Sequence, residues 1–138
     1  MKAAYIESTG SPDVIRYGDL PQPKPQNGEV LVRIGAVAVN PIDLYIRAGS
    51  VAMPLPKPFI VGCDLAGTIE QLGPGAGRFK VGERVWGSNQ GLLGRQGTFA
   101  EYVAAAEEWL YPTAQGVDDK TAAAAALVGI TAHLGLFR

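Results

Sequence analysis

The chain is 138 residues long, enough for one domain built around a single hydrophobic core. With 47% hydrophobic and 18% charged residues and a net charge of −1, it lacks the basic face that nucleic acids and anionic membrane surfaces demand, so neither is expected as a partner. A lone cysteine, Cys63, excludes an internal disulfide framework and fits a reducing compartment, so a cytoplasmic protein is expected.

The N-terminal MKAAYIESTG has no apolar core of signal-peptide length, and no segment is expected to span a bilayer. KAAYIE (2–7) predicts a first strand, which GSPDV turns toward a second in IRYGDL (15–20). Residues 21–28, PQPKPQNG, cannot join a sheet ladder because their prolines lack an amide donor; they predict a semi-extended connector. In EVLVRIGAVAVN (29–40), Val30, Val32, Ile34 and Ala36 alternate with Leu31, Arg33 and Gly35. Its second half is apolar on both faces and is expected to run into the interior. A short helix follows over Pro41 to Ala48, then the proline-broken VAMPLPKPF (51–59).

DLAGTIEQLG (64–73) and ERVWG (83–87) predict two strands, joined by GPGAGRFKVG in a hairpin or barrel-corner connection. GTFAEYV (97–103) and EWLYP (108–112) complete a series whose spacing indicates a small β-barrel or sandwich. The last segment opens at Asp118, a good N-cap, and fills with Ala and Leu as an almost entirely apolar helix built to be buried. Nothing earlier in the chain is available to cover it, so a longer protein is expected.

Chemical signals are sparse. Neither GPGAGRFKVG nor GLLGRQG matches a phosphate-binding loop or opens a helix, so both predict turns. Cys63, Asp64, Glu101 and His133 are potential metal ligands, but no pair has zinc spacing. Cys63 has no base nearby in sequence and predicts a small buried residue. His133, alone on an apolar helix, predicts a packed or interface residue. That leaves AVAVNPIDLYIRAG (36–49), which sets Asn40, Asp43, Tyr45 and Arg47 directly after a strand. Asn40 can cap the helix with Pro41 at its first position, Asp43 can favour its positive end, and Tyr45 can be partly buried. The alternative is that these groups face a ligand.

Taken in order, AVAVNPIDLYIRAG, PFIVGCDLAGTIEQLG, VGERVWG, GTFAEYV and ALVGITAHLGLF resemble the medium-chain dehydrogenase/reductase family. The likeness is strongest to its zinc-independent, zeta-crystallin-like quinone oxidoreductase branch. It covers nearly the whole chain and implies a mainly β, GroES-like barrel with short helices over residues 1–117. Residues 118–138 would be the start of a truncated Rossmann domain that holds NADPH. The zinc-dependent relatives carry cysteine at the position of Asn40 and histidine at that of Cys63, so the resemblance implies no zinc. It places Asn40 and Tyr45 in the cleft beside the nicotinamide as catalytic and cofactor-binding residues, with Asp43 supporting the turn. Thr131 would approach the cofactor from the last helix.

The implied reaction is hydride transfer to a quinone or conjugated carbonyl, resting on proximity and on hydrogen bonds to developing negative charge. A homodimer is expected at full length, and these 138 residues alone are expected to be inactive for want of a phosphate loop. Two alternatives remain at this stage: an enoyl-thioester reductase, and a non-catalytic relative that binds NADPH or a protein.

Overall fold

The computed structural model describes residues 1–138, in eight strands and two helices. β1 (Lys2–Ile6) pairs antiparallel with β2 (Arg16–Asp19) and with the short β4 (Phe59–Ile60). A second, antiparallel sheet has the order β7-β3-β5-β6-β8, from β3 (Glu29–Ala38), β5 (Asp64–Leu72), β6 (Arg84–Gly87), β7 (Tyr102–Ala106) and β8 (Leu110–Pro112).

The segment expected to be a strand over 97–103 instead passes between the sheets. Gly97 N donates to Ile60 O (2.8 Å) and Ala4 N to Phe99 O (2.7 Å). Glu101 N then donates to Lys2 O (3.0 Å), and Ile34 N to Glu101 O (2.9 Å). These bonds stitch the two sheets into the expected mainly β, barrel-like body, and the regular strand starts only at Tyr102.

Alternation in β3 sends Val30 and Val32 into a core with Leu65, Ile69, Val85, Val103 and Leu110. Phe79, from the glycine-rich connection between β5 and β6, plugs the same core. The second half of β3 does not run into the interior. β7 pairs only with Glu29–Arg33, so beyond that point this edge of β3 is unpaired; Val37 and Val39 are exposed, Val39 by 68%. Gly35 sits at a register shift there, and a Cβ on it would collide with the Asp119 side chain, so glycine is what lets the last helix approach.

α1 (Pro41–Ala48) begins as expected, with Pro41 in its first turn and Asn40 extended at φ −116°, ψ 156°. Gly49 ends it in the left-handed region, φ 80°, its N–H reaching Ile46 O at 3.0 Å. Ile46 is buried against Ile6, Phe59 and Val61. Gly10 N donates to Arg47 O (2.9 Å), and the Arg47 guanidinium returns a bond to Gly10 O, clamping the helix to the loop after β1.

α2 (Asp119–Phe137) is capped by Asp118, which accepts Thr121 N at 2.7 Å. Asp119 pairs with Arg84 of β6 at 2.5 Å. Ala122 and Ala123 pack on Ala66 of β5, and Ala126 is buried as well; a stripe of methyls lets helix and sheet approach closely. Burial stops there. Val128, Leu134, Leu136 and Phe137 are exposed, so the helix is not buried all round. At 19 residues it is long and apolar enough to cross a bilayer by length and composition only. Its first half is nevertheless committed to the barrel through the alanine stripe and the Arg84–Asp119 pair.

Candidate functional site

Three strand ends meet beside α1. The C-terminal end of β3 leads into Asn40, β5 starts at Asp64 opposite Ala38, and Ser88 directly follows β6. Asn40, Asp43, Asp64 and Ser88 are all buried, Asp64 with 0% exposure. Burial of so many polar groups is costly unless they satisfy one another.

They do. Asn40 is the residue before the helix, as expected, but its side-chain nitrogen Nδ2 donates to Asp64 Oδ2 at 2.9 Å. The Asp43 carboxylate accepts the Asn40 backbone N–H at 2.7 Å, the acidic half of a capping box. Ser88 Oγ donates to Asp64 Oδ1 at 2.6 Å. The backbone N–H of Leu127, inside α2, reaches Asp64 Oδ2 at 3.1 Å. Asp64 therefore joins the entry of α1, the end of β6 and the middle of α2.

Electrostatics follow from this burial. Desolvation pushes the Asp43 carboxyl up to about 6; the Asn40 N–H opposes the rise and the neighbouring Asp64 charge adds to it. Cys63, beside Asp64 in sequence, is buried as expected with its Sγ 3.9 Å from Ser88 Oγ. Desolvation drives its thiol up to about 11, so it stays protonated and is a poor nucleophile at neutral pH.

Tyr45 is 55% exposed rather than partly buried, and Leu44 and Val39, also close to Asn40 in sequence, are exposed as well. Thr131 is exposed on α2, one turn beyond Leu127 and so on the same side of the helix. The structure thus brings Asn40, Asp43, Asp64 and Ser88 together and leaves Tyr45 and Thr131 exposed on the two elements that Asp64 joins. His133 is exposed too, its ring 5.1 Å from that of Phe137, rather than packed in the body.

The sequence reading offered Asp64 only as a potential metal ligand and did not single out Ser88. The available signal was a carboxylate inside the apolar run IVGCDLAG, where a charge persists only with partners. No three His, Cys, Asp or Glu side chains gather in one place, and both Asp64 oxygens are already occupied by donors. The donor set does not suit zinc, which needs three or four available ligands.

A cavity of about 500 Å³ lies elsewhere, along β7 between Leu20–Pro23 and Gly94–Gly97. Of its charged neighbours, Arg95 donates to Asn89 O at 2.7 Å and Glu29 accepts Gln26 N at 2.8 Å, while the Lys24 ammonium has no partner. Asn40, Tyr45 and Thr131 do not line it. The polar cluster at the α1–α2 junction is the better candidate, because its buried side chains are fixed by one another where two helices and three strand ends meet.

Residues 26–115 match the alcohol dehydrogenase GroES-like domain family. The chain is similar to the quinone oxidoreductase of Homo sapiens, 34% identical over 137 residues that cover 99% of this chain and 40% of that protein. A mycobacterial quinone oxidoreductase superposes with a TM-score of 0.88 at 36% identity, covering 99% of this chain and 41% of the other. A mycobacterial protein solved in complex with NADPH superposes with a TM-score of 0.89, also at 36% identity and with the same coverage. The chain spans about two-fifths of the length of the relatives it matches.

Proposed function

Since the chain belongs to the alcohol dehydrogenase GroES-like domain family, we propose that it forms the N-terminal domain of an NADPH-dependent quinone oxidoreductase that works without zinc. The observation that carries the reading is the convergence of Asn40 and α2 on Asp64 beside the exposed Tyr45, in a chain similar to quinone oxidoreductases along its length. Residues 1–117 form the catalytic domain, and residues 118–138 begin the nucleotide-binding domain. The relatives' greater length leaves room for a loop that holds the cofactor's phosphates, so the 138 residues alone are inactive. The protein is cytoplasmic and, at full length, a homodimer.

The surface suits a flat, amphipathic ring. Val39 and Leu44 offer apolar contact, and the Tyr45 hydroxyl offers one hydrogen-bond donor. NADPH, when bound, supplies the hydride. Tyr45 donates a hydrogen bond to the carbonyl oxygen that takes up negative charge, Asn40 orients the ring beside it, and Thr131 helps seat the cofactor from α2. Holding the reacting carbon near the donor converts an encounter into a positioned step, which is the contribution expected where no metal polarises the carbonyl.

The test is NADPH oxidation by the full-length protein with a series of quinones, run beside an enoyl thioester. Quinone-dependent oxidation supports the reading. Turnover of the thioester alone replaces it with an enoyl-thioester reductase, and no turnover of either rejects it.

A further inference from the structure

Asn40 has two hydrogen-bonding ends: its oxygen faces the Asp43 backbone N–H in the capping box and keeps a second lone pair, and its nitrogen is held inside the protein. Its Nδ2 donates to Asp64 Oδ2 at 2.9 Å, and the same oxygen receives Leu127 N at 3.1 Å. The other Asp64 oxygen receives Ser88 Oγ at 2.6 Å. Donors from three elements hold both arms of this buried carboxylate, so its rotamer is fixed. A carboxylate accepts only, so it selects the nitrogen end of the Asn40 amide and repels the oxygen end. We infer that Asp64 is a positioning residue for the proposed site: it locks the Asn40 carboxamide so that Oδ1 is presented as an acceptor to an N–H or O–H of the bound ligand.

This rests on the reading of the site as a hydride-transfer centre, and it changes the division of labour there. With a negative charge against its own nitrogen, Asn40 is poorly suited to stabilise a developing oxyanion. That donation falls to Tyr45. Asn40 then recognises a donor-bearing group, such as a carboxamide or a sugar hydroxyl, and its orientation sets the registry of the ring. Leu127 N ties the same carboxylate to α2, so the position of the helix and the direction of the Asn40 amide are set by one atom.

The test is a cycle of Asp64→Ala, Asn40→Ala and the double variant in the full-length protein, with Asp64→Asn as the conservative control. Asp64→Ala is expected to lower kcat/KM for a quinone by about 10- to 100-fold, the effect of a misdirected contact at a reacting centre. In the Asn40→Ala background the same change is expected to cost nothing further, because its route to the chemistry is already gone. Asp64→Asn keeps a carbonyl oxygen for Asn40 and Leu127 and is expected to stay within about threefold of wild type.

An undiminished loss in the Asn40→Ala background, an Asp64→Asn variant as impaired as Asp64→Ala, or no loss at all overturns the inference. If Asp64→Ala does not fold, side-chain amide NMR of the labelled wild-type protein decides instead. One Asn40 amide proton protected from exchange supports the assignment, and two freely exchanging protons overturn it. Wild-type protein that oxidises no NADPH with any quinone sinks the functional reading itself; active wild-type protein with a null cycle sinks this inference alone.

Discussion

Asp43→Asn isolates the cost of burying a charge at the α1 entry. The wild-type carboxyl is pushed from its usual 3.8 up to about 6 by desolvation, against the pull of the Asn40 N–H. The folded protein therefore holds this proton more tightly than the unfolded chain. The associated stability is complete below about pH 3.8 and is lost as pH rises through about 6. The pKa gap corresponds to about 3 kcal/mol of stability missing at neutral pH. Asparagine resembles the protonated acid and keeps an oxygen for the Asn40 N–H. Asp43→Asn is thus expected to exceed wild type by about 3 kcal/mol near pH 7.5, by about 1 kcal/mol near pH 4.5 and by almost nothing near pH 3. Denaturation at these pH values reads the difference, and carboxyl-carbon NMR reads the titration. A carboxyl titrating near 3.8, or a variant less stable than wild type at neutral pH, refutes the reasoning.

Cys63, buried and with its thiol raised to about 11, is expected to resist iodoacetamide at pH 8 in the native protein and to react at once in urea; rapid native alkylation contradicts that burial. Ile69→Ala opens a cavity in the core that Ile69 shares with Phe79 and is expected to cost about 2–5 kcal/mol by denaturant titration. Arg84→Ala removes an ion pair whose side chains are 41% and 26% exposed, and is expected to cost under about 1 kcal/mol. A reversal of that order would place the stability of the domain in α2 docking rather than in the barrel core. Chelation with EDTA is expected to leave quinone turnover unchanged, and loss of activity restored by zinc would overturn the metal-free mechanism.

Much of the fold was legible because local rules and tertiary packing agree. Pro41 and Gly49 bracket α1 as their backbone preferences require, and Asp118 caps α2 as predicted. The antiparallel pairing of β5 and β6 follows from the turn-rich segment between them. The reading failed where tertiary context decides. Val37 and Val39 are as apolar as Val30 and Val32, yet they lie exposed beyond the stretch of β3 that β7 pairs. Gly97–Glu101 has strand-like composition, yet it divides its bonds between two sheets.

At the site, the NPxDxY pattern identified Asn40, Asp43 and Tyr45 as candidates. It could not show that the Asn40 side chain also reaches across to Asp64. That partner lies 24 residues away in sequence and is brought close by the pairing of β3 with β5. Asp64 looked like one more possible metal ligand, and its three donors come from residues with no periodic relation to it.

The most direct test of the central claim is kcat/KM for NADPH-dependent quinone reduction by the full-length protein carrying Asn40→Ala and Tyr45→Phe, with Tyr45→Phe measured alone. Tyr45 is largely exposed, so losing its hydroxyl has little reason to disturb folding. If the α1 entry is the reacting centre, Tyr45→Phe lowers kcat/KM by about tenfold or more and the double variant lowers it further. Unchanged kcat/KM in the double variant would move the active site away from Asn40 and Tyr45.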